Sequence, residues 1–229
     1  MPQNANDVTR ETIELWLDAA LKQVAAESYF HGISLTSSDL ITQRLTRGNT
    51  PLESTQDQFV RLTQSQAAAF LAEYEIVDQH ANDASGFSAT LLRRKVDDPL
   101  TAAKAGEYTL AFRSTEYRNP SQGGDFDRDG FLYAGLSRAD GEIAFAGFAQ
   151  GQLAAMEAYY QRLKLGITST DPDNSAQLNT LGKVDPSVRD FFGNASSTFN
   201  VVGYSLGQNW GQTSLFRYAR NEVCPHLIT

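Results

Sequence analysis

Thr198-Phe199-Asn200-Val201-Val202-Gly203-Tyr204-Ser205-Leu206-Gly207 is the stretch whose reading decides the fold. A short β-branched and aromatic run ends in Gly-x-Ser-x-Gly, the pattern of a nucleophile elbow: a buried strand, a sharp turn carrying the serine, then a helix. The glycines are required sterically. Such a turn holds Ser205 at unfavourable backbone angles, and only small neighbours let strand and helix pass so closely. Read this way, the Ser205 hydroxyl stands at the carboxyl end of the strand. The Leu206 N–H lies at the helix start, where it can stabilise an oxyanion.

A second stretch agrees with the first. Tyr108-Thr109-Leu110-Ala111-Phe112-Arg113-Ser114-Thr115-Glu116 is followed by Gly123-Gly124-Asp125-Phe126-Asp127-Arg128-Asp129. Together the two resemble the α/β hydrolases, in particular the class 3 lipase-like family. There a hydrophobic-Phe-Arg-Gly-Thr strand, with an acidic–aromatic loop after it, precedes the elbow. The resemblance covers about residues 65–210. Ser114 stands where the family usually carries Gly, and Gln208 where a small residue is usual. The resemblance implies an α/β fold, a mixed sheet flanked by helices. It also implies acyl transfer from carboxylic esters of lipids to Ser205, with Leu206 N–H and Ser114 as oxyanion donors.

Composition sets the bounds. The 229 residues are 41% hydrophobic, enough for one sizeable core. One domain over 1–229 is expected: a helical and loop segment over 1–64, then a sheet-and-helix core over 65–229. The net charge of −8 argues against nonspecific binding to nucleic acid or anionic membranes. Cys224 is the one cysteine, so no disulfide forms within the chain. The start, Met1 to Asp7, has neither the basic residues nor the apolar core of a signal peptide. The longest apolar candidate, Ile143–Met156, is broken by Gly147, Gln150, Gly151 and Gln152, so no membrane span is expected. The expected location is the cytoplasm, or the exterior by a C-terminal address not in this sequence.

In chain order, Thr9–Phe30 reads as a helix capped by Thr9 or Asp7, with Ile13, Trp16, Leu17, Ala20, Leu21 and Val24 on one face. Ser34–Thr55 reads as a loop with a short helix carrying Leu40, Ile41 and Leu45. Ser65 caps a second helix. Tyr74–His80, Gly86–Arg94 and Tyr108–Arg113 read as strands whose turns give the sheet an antiparallel start. Asp140 caps a long helix to Lys164 whose aromatic residues serve packing. Thr168–Asn179 is a polar loop, and Asp185–Phe192 a short helix leading into the elbow strand.

The acid and base are the difficulty. In this fold they follow the serine in the order Ser, Asp or Glu, His. His31 and His80 precede Ser205. His226 follows it, but a helix over Gly207–Arg220 rising about 1.5 Å per residue carries the chain roughly 20 Å away. Neither His226 nor Glu222 then reaches a hydrogen bond of about 3 Å. The sequence ends at Thr229. The expectation is therefore a hydrolase copy incomplete at its C-terminus, its elbow strand left as an open sheet edge that invites self-association. The rival is a non-catalytic remnant or interaction domain. Asp125-x-Asp127-x-Asp129-Gly130 matches the opening of a calcium loop, but the closing acid falls on Leu136. These aspartates are weak calcium candidates, and no other cofactor is expected.

Overall fold

A computed structural model describes residues 9–30, 32–49, 60–83, 85–113, 150–168 and 183–203. Three runs rich in apolar residues form an antiparallel meander: β1 (Tyr74–His80), β2 (Ala89–Arg94) and β3 (Tyr108–Phe112). A ribbon of two short strands, β4 (Ile167–Thr168) and β5 (Lys183–Val184), pairs separately. β6 (Asn200–Val202) then joins the main sheet beside β3, and this pairing is parallel. The sheet is mixed, in the order β1-β2-β3-β6. The antiparallel start expected from the turn spacing is present, and the chain is of the α/β class.

Leu91 and Leu92 point to opposite faces of β2, yet both are fully buried. Burial on both faces requires a helical layer on each side. On one side lie α1 (Arg10–Ala26), α2 (Ser38–Arg47) and α3 (Gln64–Glu73), which enclose Ile41, Leu45, Phe70, Ile76, Leu92 and Ala111. On the other lie α4 (Gln150–Lys164) and α5 (Pro186–Phe192), with Phe87, Leu91, Leu110, Phe112, Tyr159 and Phe192. In β6 the alternation holds: Val201 packs on the α4 side and Val202 on the α1 side. Among the described residues β6 is an edge strand. The aromatic residues described in α4 serve packing as expected: Tyr159 is 1% exposed and Tyr160 lies against Phe192 and Phe199.

Boundaries differ from the sequence expectation in several places; Thr168, expected to open a polar loop, is instead paired with Lys183 in β4, and β3 ends at Phe112 rather than Arg113. Thr63, not Ser65, caps α3, because Thr63 and Gln66 close a reciprocal capping box around the first orphan amides. α1 stops at Ala26 rather than Phe30. Gln79 of β1 binds both Ser28 O and Phe30 N, at 2.8 and 2.7 Å, and draws those backbone groups out of the helix. β2 starts at Ala89 rather than Gly86, because Asp83 organises a turn through Ser85 and Phe87, with Gly86 at φ +85°. In α1, Ile13, Trp16 and Leu17 are exposed, whereas Leu21 and Val24 pack against the core. The apolar stripe read from the sequence is thus covered at one end only among the described residues.

A bulge in β1 sets side-chain direction. Ile76 pairs with Leu92 and Asp78 with Leu91, leaving Val77 as the extra residue. The slip turns Asp78 to the α4 side, where Tyr159 Oη donates to it at 3.0 Å. Burial, followed by the charge of Asp78, pushes the Tyr159 hydroxyl well above its ordinary pKa. Gly166 at φ +72° turns α4 into β4; a Cβ there would lie 2.6 Å from Asp185 O and 2.7 Å from Arg189 Cβ.

Candidate functional site

β1 is antiparallel to β2, β2 to β3, and β3 parallel to β6. The carboxyl ends of β1, β3 and β6 therefore share one rim of the sheet. The paired register runs Thr109 with Asn200, Leu110 with Val201 and Ala111 with Val202. One step further, Phe112 falls level with Gly203. Both elements that the sequence marked as chemistry-bearing thus end side by side. Ser205, Leu206, Ser114, Asp125, Asp127 and Asp129 lie outside the described residues, as do His31, Glu222 and His226.

The end of β3 is held from the α1 side. Alternation along β3 turns Ala111 and then Arg113 toward that layer. The Arg113 side chain is 3% exposed; its Nε lies 3.6 Å from Oε2 of Glu27, itself 1% exposed. The guanidinium carbon sits 4.0 Å from the centre of the Tyr29 ring. Gln23 Nε2 donates to Phe112 O at 2.8 Å and to Glu27 Oε1 at 3.1 Å, linking strand end and carboxylate. Arg113 N donates to Ser88 O at 3.1 Å. Backbone and side chain of the last two residues are fixed together.

A second polar group sits at the same rim on β1. His80 Nε2 lies 2.9 Å from Asp83 Oδ2, while Asp83 Oδ1 accepts from Ser85 N at 2.8 Å and Ser85 Oγ at 2.5 Å. The imidazole is flanked by Phe87 and Tyr159, each 5.2 Å between ring centres. Burial pushes the Asp83 carboxyl up, but the hydrogen bonds from His80 and Ser85 outweigh it and hold it below the usual carboxylate range. The arrangement fixes the imidazole against a carboxylate, a pairing able to carry a proton. Three interstrand steps of about 4.8 Å separate β1 from β6, about 14 Å in all. His80 is thus not within bonding reach of β6.

Sequence reasoning did not find Glu27, Gln23 or Tyr29, because nothing in a helix-ending Gln-x-x-x-Glu-x-Tyr marks it as facing a strand more than eighty residues later. His80-x-x-Asp83 right after a strand was a readable local signal. Among the described residues no group of three or more His, Cys, Asp or Glu could hold a metal ion. No helix among them is long and apolar enough to cross a membrane. Comparison with protein-family models, with curated proteins and with solved structures finds no match.

Proposed function

We propose that this chain is a lipase- or esterase-like serine hydrolase of α/β-hydrolase type. Ser205 Oγ attacks the carbonyl carbon of a carboxylic ester of a lipid, and the resulting oxyanion is held by Leu206 N–H and a donor at Ser114. The alcohol leaves, an acyl-Ser205 ester remains, and water releases the acid. The observation that supports this reading is the parallel pairing of β3 with β6. It sets the Phe-Arg strand end beside the strand that runs into Gly-x-Ser-x-Gly, after an antiparallel start to the sheet.

The test is a serine-directed alkyl phosphonate. Fold-dependent labelling of Ser205, abolished by Ser205→Ala and by urea, is the expected result, with turnover of short p-nitrophenyl esters where the acid–base partners are complete. A chain that takes no label and turns over no ester is the non-catalytic remnant instead. An unlabelled chain that binds a copy of itself through β6 is an interaction domain.

A further inference from the structure

We propose that Arg44, with Arg47 beside it near the carboxyl end of α2, forms a binding site for a phosphate-type dianion, either the free ion or the phosphoryl group of a small phosphomonoester. The inference stands apart from the hydrolase reading and uses none of its residues.

The local fold gathers the basic side chains. α2 stops at Gly48, whose φ of +63° turns the chain away from the helix. A Cβ there would lie 1.9 Å from Val60 O and 2.8 Å from Arg61 Cβ, so only glycine lets residues 60–62 run against the end of the helix. Asn49 N donates to Val60 O at 3.3 Å and Leu62 N to Leu45 O at 3.0 Å, which fixes that approach. Arg61 is thereby set beside the last turn of α2. Arg44 and Arg47 are three residues apart in that helix and are neighbours on its surface.

Arg44 stands out from the other arginines. The chain has 27 Asp and Glu against 19 Lys and Arg, so carboxylates are in excess. Arg10, Arg93, Arg94, Arg113 and Arg189 each lie within 3.9 Å of one. Among the described residues Arg44 meets none, and its Nε–H is buried without a hydrogen-bond partner. Asp39, the acid of α2, lies in the first turn. Burial, followed by the charge of Arg47, holds the Arg44 guanidinium below its ordinary pKa.

A buried donor left unpaired costs stability, and so do like charges side by side on a helix. The α2 dipole favours basic side chains in its last turn. That accounts for the charge of Arg44 and Arg47, but not for an Nε–H shut away from water. An anion seated against the two guanidinium groups removes both costs. It accepts from Nε and it screens the repulsion. A dianion matches two guanidinium charges, whereas a monocarboxylate leaves one over. Guanidinium forks also pair two-by-two with phosphoryl oxygens.

The test titrates the full chain with inorganic phosphate, glycerol 3-phosphate or acetate, read by calorimetry and by the thermal midpoint. The buffer contains no other phosphate, and sodium chloride holds the ionic strength constant. At about pH 7.5 a phosphomonoester is a dianion. The expected result is saturable binding of at least one of the two phosphates, about tenfold or more tighter than acetate, with a rise in midpoint. The tighter of the two identifies the free ion or the esterified phosphoryl group as the source. Arg44→Met should weaken binding about tenfold or more, and Arg44→Lys, which keeps the charge without the fork, should keep part of it. Arg189→Gln, on the opposite side of the sheet, should bind as wild type. Without phosphate, Arg44→Met should keep or raise the midpoint, because it removes an unpaired donor and a like charge. Absence of saturable binding by either phosphate overturns the proposal. So does acetate binding as tightly, or unchanged binding in Arg44→Met. A fall in the phosphate-free midpoint of Arg44→Met also overturns it, since the guanidinium would then be held by the chain itself.

Discussion

The two rims of the sheet on the α1 side carry the same three components in different surroundings. At the amino rim of β1, Arg94 lies 3.5 Å from Asp18, 3.7 Å from Glu73 and 3.9 Å from Asp98, with the Tyr74 ring 4.8 Å away. Lys22 joins it, 2.7 Å from Asp18 and over the same ring. At the carboxyl rim, Arg113 meets Glu27 and Tyr29. The difference is water. The carboxylates around Arg94 are 21 to 51% exposed, whereas Glu27 is 1% exposed. Several partly wet carboxylates share one guanidinium at the first rim, so losing one leaves others and solvent to compensate. At the second rim the carboxylate is shut away from water, so solvent cannot compensate for its loss. One helix is thus stapled to the sheet by a forgiving contact at one end and an exacting one at the other.

The largest effect should come from breaking the exacting end. Glu27→Ala leaves Arg113 buried without that carboxylate and should cost about 3–5 kcal/mol in urea unfolding. Asp18→Ala, its counterpart, should cost less, about 1–3 kcal/mol, since Arg94 keeps Glu73 and Asp98 although Lys22 and the Tyr74 hydroxyl lose Asp18. Equal losses would erase the distinction between the rims.

A middle-sized effect belongs to Tyr74, whose hydroxyl donates to Asp18 Oδ1 at 2.5 Å. Tyr74→Phe should cost about 1 kcal/mol near neutral pH. Burial first, and then Asp18, raise the Tyr74 pKa far above its ordinary value. The sign follows from linkage. The folded chain holds this proton more tightly, so the stabilisation is full below the unfolded pKa of about 10 and declines as pH rises above it. Stability measured from pH 8 to 11 should fall less steeply in Tyr74→Phe than in wild type. Tyr159 and Tyr108, also raised, keep some slope. An unchanged slope would mean that Tyr74 is not held as described.

At the acid end, the Asp83 carboxyl is depressed, so its contribution is present above about pH 4 and lost as pH falls through its lower folded value. Asp83→Asn should flatten acid unfolding below pH 4. The smallest effect sharpens the comparison from outside it. Leu17 is 52% exposed, and Leu17→Gln should move stability by less than about 0.5 kcal/mol, although a helical wheel groups Leu17 with the core-facing Leu21 and Val24.

Leu17 also shows where sequence legibility stopped. Periodicity identified α1 and its apolar stripe, with Thr9 as one of two candidate caps, because these depend on contacts three and four residues apart. It could not say how much of the stripe meets another element. β1 and β3 were legible for the same local reason, since β-branched and aromatic runs bounded by turns leave few alternatives. So was α5, through Asp185 and Pro186. The bulge at Val77, which redirects Asp78, left no mark in composition, because it is a property of pairing between two strands.

The amino-acid sequence alone determined most of the elements, but not the β4–β5 ribbon, together with their antiparallel start and the Gly-x-Ser-x-Gly and Phe-Arg stretches, all consequences of local sterics and spacing. Only tertiary structure decided that β3 and β6 lie next to each other and run the same way. It alone chose Glu27, Gln23 and Tyr29 to hold the end of β3. Residues this far apart in the chain come together by burying a shared sheet, and which polar side chains are trapped beneath it depends on strand order and facing. Neither quantity is written in any short window of sequence.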